Sequence, residues 1–281
     1  MSVKIVVDSA ADIAKEYKEQ FVTVPLTITF GDKEYQDGVT ISHKEFYEKL
    51  IESDELPTTS QASPAAFEKE FKKIFAENKD EEILVLTLSS KLSGTYQSAM
   101  IAAAEYDNIY VVDTKSVAIG EAVLAYRALE MAKEGLDGRT IADKIEEEKE
   151  KVCLIAMLDT LEYLKKGGRI SAAVAFAGGV LSIKPVVTVR DGVVEMIGKA
   201  RGSKQGNNLL VKEIENAGGV DFAKPILLGY TGLTDCLLNK YIEDSSSLWK
   251  GNVDELQKTT IGSAIGTHVG PGAIAVAFFK K

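Results

Sequence analysis

The chain has 281 residues and a mass of 30.4 kDa, a length that at roughly 150 residues per domain predicts two domains. Its 45% hydrophobic and 27% charged residues exclude a disordered tail, a collagen-like repeat and a disulfide-stapled miniature. Setting 42 acidic against 33 basic residues leaves a formal net charge of -9, a field that repels polyanions and argues against general nucleic-acid binding.

The first half alternates apolar runs with amphipathic segments, the pattern of a parallel sheet flanked by helices. Residues 3–7 read as a buried strand, and Ser9 with Asp12 as a capping box opening a helix through about Gln20. Residues 22–30 read as a second strand. Ser42 with Glu45 repeats the capping box ahead of a helix over 43–52, where His43 falls on the surface, and Ser63-Pro64 starts another helix with proline at its favoured first position. Strands are expected over 83–88 and 109–112, each followed by a helix, around 94–105 and 117–134.

After an acidic helix over 140–151, whose Glu146-Glu147-Glu148 run reads as a solvated face, the pattern changes. Residues 153–158 predict a strand, 160–166 a short helix, and Gly167-Gly168 a stop. Residues 171–181 are apolar nearly all round, as a helix buried between two layers would be. Strands over 185–189 and 193–197 flank Asp191-Gly192, a strong hairpin signal. A helix from about Ser203, a strand over 226–229, a helix from Thr234 and strands around 259–261 and 273–279 complete the chain. The fold expected is α/β: two docked domains, 1–152 mainly parallel with flanking helices and 153–281 a mixed sheet with an antiparallel hairpin. Cys153 and Cys236 lie far apart without metal-ligand spacing, which reads as two packed, reduced thiols. The apolar stretches 172–183 and 269–279 fall short of the roughly 20 residues of a membrane span, and the start lacks a signal-peptide core, so the expected compartment is the cytoplasm.

Three strand ends run into hydroxyl-rich loops: Asp8-Ser9, Leu88-Ser89-Ser90 through Ser93-Gly94-Thr95, and Asp113-Thr114-Lys115-Ser116. Open α/β sheets bind ligands beyond the carboxyl ends of their strands, and a helix starting at Ser93-Gly94 aims free N–H groups and a positive dipole at an anion there. The alternative for any one serine is a plain helix cap. A second hydroxyl cluster, Pro57-Thr58-Thr59-Ser60-Gln61-Ala62-Ser63-Pro64, reads on its own as a polar loop before the Pro64 helix. Residues 265–272 set His268 in what reads as a loop with three glycines, an unusual setting for core filler.

In order, the segments Val7-Asp8-Ser9-Ala10-Ala11-Asp12, Tyr35-Gln36-Asp37-Gly38, Thr59-Ser60-Gln61, Ser93-Gly94-Thr95-Tyr96, Gly167-Gly168-Arg169-Ile170, Lys184-Pro185, Arg201 and Gly266-Thr267-His268-Val269-Gly270-Pro271-Gly272 resemble the DegV family of bacterial fatty-acid-binding proteins, partners of a fatty acid kinase. The resemblance spans essentially the whole chain. It implies an apolar tunnel between two α/β domains, with a long-chain fatty acid such as palmitate held by its carboxylate at Thr59 and Ser93, beside Ser60, Gly94 and His268. It further implies a lipid carrier without a cofactor of its own, ATP belonging to the kinase, with His268, Arg169 and Arg201 assisting phosphoryl transfer or docking. One departure is Tyr230, where many relatives carry histidine.

The physics agrees with that implication. Hydroxyl and backbone donors satisfy a carboxylate that an unpaired burial would penalise heavily. For a 16-carbon acid, about 14 methylenes at roughly 0.8 kcal/mol each give about 11 kcal/mol of gross driving force, so the tail supplies affinity and the head group register; the small residues of 173–181 leave room for such a tail. A rival is a serine hydrolase using Ser93, His268 and an acid such as Asp8, although no Gly-x-Ser-x-Gly surrounds Ser93. A kinase acting alone lacks any phosphate-binding Gly-x-x-x-x-Gly-Lys loop.

Overall fold

The protein is described by a computed structural model over residues 2–53, 55–171 and 183–281. In chain order its first half comprises β1 (Val3–Asp8), β2 (Val22–Val24), β3 (Thr27–Phe30), β4 (Lys33–Gln36), α1 (His43–Glu52), β5 (Thr58–Ser60), α2 (Pro64–Glu77), β6 (Glu82–Thr87), α3 (Thr95–Ala103), β7 (Ile109–Asp113), α4 (Ile119–Lys133) and α5 (Gly138–Glu148). The second comprises β8 (Val152–Met157), α6 (Glu162–Lys166), β9 (Ile183–Arg190), β10 (Val193–Arg201), α7 (Gly202–Asn216), β11 (Leu227–Tyr230), α8 (Cys236–Asp244), α9 (Ser246–Trp249), β12 (Lys258–Thr260), α10 (Ser263–Val269) and β13 (Ile274–Phe279).

The alternating pattern of the first half closes into an all-parallel sheet, β2-β1-β6-β7, and the second half into a mixed sheet, β10-β9-β8-β13-β11-β12, in which β11 and β12 run parallel and the other pairs antiparallel. The α/β class read from the sequence is thus the one observed. Two capping signals act as expected: Ser42 and Glu45 exchange reciprocal bonds, and Ser63 caps a helix with Pro64 in its first turn. Asp191 and Gly192, both at positive φ, turn the β9–β10 hairpin, as a two-residue turn of that handedness requires.

Several expectations are corrected. Residues 22–30 form two strands, because Pro25 supplies no N–H to a ladder; β2 joins the parallel sheet while β3 starts a small antiparallel one, β4-β3-β5. Its third strand is the hydroxyl cluster read as a loop. Residues 9–20 fold as two 3-10 segments, Ser9–Ala11 and Lys15–Gln20, separated by Asp12 at φ 49°. Asp8, not Ser9, caps the first of them, accepting from the Ala10 N–H. Glu148 is drawn out of the solvated face by Arg127 and Lys224. Cys236 is exposed rather than packed, while Cys153 is half-buried with a thiol that burial pushes up to about 11. The apolar stretch 172–181 lies outside the described residues.

Helix α4 explains how the two halves meet. Buried throughout its first two turns, it packs against β1 and β6 as well as against β8, β11 and β13. Val7, Leu84, Ile119, Leu124, Ala277 and Phe279 belong to one continuous apolar cluster. Each fully buried Ile or Leu there is worth about 1.5–3 kcal/mol, so the halves share a core rather than merely touching. No helix among the described residues is long and apolar enough to cross a membrane.

Candidate functional site

Two adjoining spaces lie where the ends of the parallel sheet face the mixed sheet. The inner, with room of about 60 Å3, is walled by apolar side chains such as Leu154, Ala156, Leu158, Val187, Ile261 and Ala275. The outer, with room of about 70 Å3, carries the polar groups Thr59, Ser60, Gln61, Ser93, Arg169 and His268. Val117, Leu164, Val194, Ile265 and Val269 line both spaces, so an oily interior and a polar mouth lie side by side against one set of side chains.

Each mouth residue is delivered by a different element. Thr59 sits on β5, whose pairing with Ile28 of β3 fixes its direction. His268 stands near the end of α10, a helix where the sequence suggested a loop. The imidazole Nε2 and the Thr59 hydroxyl are 2.8 Å apart. Burial, reinforced by the nearby Arg169 charge, lowers the His268 pKa to about 4, so the ring is neutral at physiological pH. Its Nδ1 has no hydrogen-bond partner among the described residues. Arg169 donates to the Leu92 and Gly167 carbonyls, which holds its guanidinium on the rim. Ser93 precedes α3 and its hydroxyl lies 2.9 Å from that of Thr95.

The remaining strand-end groups do structural work. Asp8, fully buried, accepts from the Leu88 and Ala10 N–H groups, and burial nevertheless raises its pKa to about 7. Ser9 donates to Asp37, Ser89 to the Gly192 carbonyl and Thr114 to the Thr87 carbonyl. Gly94 does not line the mouth: the space over its Cα belongs to the Gln61 amide, which donates to Ser98. Arg201 is exposed where β10 meets α7, away from both spaces. Tyr230 ends β11 with its hydroxyl accepting from Thr260. His43 is half-buried rather than superficial, and burial lowers its pKa despite the Asp37 charge.

A Ser-His-acid relay is not assembled. Ser93 pairs with Thr95, His268 with Thr59, and Asp8 is engaged by two backbone N–H groups. Among the described residues no group of three or more His, Cys, Asp or Glu could hold a metal ion. Two contributors escaped the sequence reading. Gly167, read only as a helix stop, lies so close to the His268 ring that a Cβ would overlap Nδ1. Gln61 shares the mouth with Thr59 and Ser60. Gln61 belongs to the Thr59-Ser60-Gln61 segment of the resemblance but was given no role there.

Comparison with known proteins adds the family. The model described as "Uncharacterised protein, DegV family" matches residues 2–281. A DegV domain-containing protein of Caldanaerobacter subterraneus subsp. tengcongensis is 34% identical over 285 residues, covering 99% of each chain. A structure from Thermus thermophilus, described as fatty acid binding of a DegV family protein, superposes with a TM-score of 0.88 at 31% identity, covering 100% of both chains. A DegV family protein from Eubacterium eligens, loaded with heptadecanoic acid, gives 0.86 at 26% identity over 100% of both.

Proposed function

The chain belongs to the DegV family, and on that premise we propose that it binds one long-chain fatty acid, tail in the inner space and carboxylate at the mouth. The observation that carries this reading is the adjacency of an apolar inner space to a mouth of hydroxyl donors flanked by Arg169. Thr59, Ser60 and Ser93 offer hydroxyl groups, and the neutral His268 steers the first of them. A carboxylate so held is satisfied by several hydrogen bonds, while the tail is removed from water at roughly 0.8 kcal/mol per methylene.

The reading extends to a partner. The chain acts as a cytoplasmic carrier that presents palmitate or a similar acid to a fatty acid kinase, contributing no catalytic residue of its own to ATP binding. Carboxylate oxygen attacks the γ-phosphorus of the kinase-bound ATP, the bond to the β,γ-bridging oxygen breaks, and ADP leaves as the acyl phosphate forms; stabilisation of the developing charge falls to positioned donors and cations. His268 and Arg169 stand at the mouth for that purpose, and Arg201 is assigned to docking. The boundary between head-group and tail-closing units falls near residue 152, across the shared core.

The test is lipid extraction from denatured, purified protein followed by mass spectrometry. About one acid per chain is expected, with exchange for added palmitate. Lipid-free protein that takes up neither palmitate nor oleate overturns the reading.

A further inference from the structure

The motifs carrying Asp12 and Asp37 have no part in the mouth, yet both acids converge on the helix that supplies His268. Helix α10 has seven residues, and a helix so short has little stability of its own. Its first N–H groups have no partner within the helix. Here they are taken by carboxylates from distant chain segments: Gly262 N–H donates to Asp12 at 2.5 Å, Ser263 N–H to one oxygen of Asp37 at 3.0 Å, and Ala264 N–H to the other at 3.2 Å. Asp37 is only 4% exposed, and Ser9 donates to it at 3.0 Å. Its two oxygens therefore grip two successive N–H groups from a fixed base.

The geometry below that grip is direct. Ala264 and His268 are four residues apart and so share a helix face, and both line the mouth. A tilt or fraying of the first turn is transmitted to the imidazole. We infer that Asp37 is a positioning residue for the head-group site: by fixing the start of α10 it sets His268 against Thr59. The inference deepens the fatty-acid reading and depends on that reading only for its binding arm.

Asp37→Asn tests it. The amide keeps the shape but turns one acceptor into a donor, so either the Ser263 or the Ala264 N–H faces another N–H whichever way the amide is turned. With only two histidines in the chain, imidazole 1H–15N spectra report on His268 directly once a His43→Gln background has removed the other ring. The ligand-free Asp37→Asn protein is expected to show displaced His268 resonances. Its affinity ratio for palmitate over 1-hexadecanol, which differ only in the head group, should fall at least fivefold, with hexadecanol bound within twofold of wild type. Unmoved His268 resonances overturn the inference, as does an equal loss for acid and alcohol, which is what general destabilisation would give. A wild type that binds neither probe refutes the fatty-acid reading instead and leaves the decision on Asp37 to the spectra. Should Asp37→Asn fail to fold, Ser9→Ala, which removes one bond to the same carboxylate, must itself displace the His268 resonances from their wild-type positions; no displacement refutes the inference equally.

Discussion

Replacing Thr59 with valine separates head-group grip from tail burial. The two side chains have nearly the same shape, and valine is at least as favourable in a strand, so the β3–β5 pairing should persist. What is lost is one hydroxyl that pairs with His268 at 2.8 Å and faces the mouth. A hydrogen bond to a charged group contributes about 1.5–3 kcal/mol, so the dissociation constant should rise about 10- to 150-fold. Each methylene, at roughly 0.8 kcal/mol, changes affinity about fourfold and is untouched by the substitution. Calorimetric titration with the 12-, 14- and 16-carbon acids should therefore give two parallel lines of binding free energy against chain length, with the variant displaced upward. An unchanged intercept would show that Thr59 does not hold the carboxylate. A changed slope would show that the substitution had reached the tail cavity and that the two functions are not separable.

Gly167→Ala, allowed by the backbone but overlapping the His268 ring, should weaken palmitate binding at least tenfold. Gly168→Ala, at positive φ with open space around it, should cost about 1 kcal/mol of stability and leave affinity within twofold; equal effects on binding would refute the contact. Ala156→Phe, on the inner wall, should reduce the longest acid accepted while decanoate binds as before, and undiminished palmitate binding would place the tail elsewhere. Glu121 is fully buried in α4 with neither oxygen partnered among the described residues, and burial holds its pKa well above its ordinary value of 4.5. The folded chain therefore keeps a proton that the unfolded chain releases as pH rises, so wild type loses about 1.4 kcal/mol of stability per pH unit until the folded group itself ionises. Glu121→Gln removes that loss, and its advantage in urea unfolding should grow as pH rises above the ordinary carboxylate range; a pH-independent difference would mean that the folded carboxylate is already ionised.

Signals confined to one segment were legible in the sequence. The Ser42–Glu45 box, Ser63-Pro64 and Asp191-Gly192 each specify local hydrogen bonds or dihedrals, and each appears where the pattern puts it. Signals whose meaning depends on a distant partner were not. Ser9 reads as a cap, but its hydroxyl is taken by Asp37 and the Leu26 N–H. The glycines around His268 read as a loop, yet Asp12 and Asp37 supply the caps that let α10 form there. Thr59, Ser93, Arg169 and His268 were singled out and do meet at one mouth. Gly94 and Gln61 exchanged roles, because the packing of a side chain over a glycine leaves no trace in spacing.

The neutral state of His268 completes the account of the mouth. A hydroxyl has one proton to give. If Thr59 donated it to Nε2, nothing would remain for a carboxylate, and Nδ1–H would be a buried donor without an acceptor. With the proton on Nε2, the imidazole donates to the Thr59 oxygen, and the threonine proton points toward the ligand. The unpaired atom is then a lone pair on Nδ1 beside the Gly167 Cα, the lesser penalty, since under-satisfied acceptors are better tolerated than orphaned donors. Protonating Nδ1 would place a second cation near Arg169 in a buried position, which is why the pKa falls to about 4. The two features reinforce one another: burial and Arg169 keep the ring neutral, and the neutral ring directs the one proton through which Thr59 meets an acid head group.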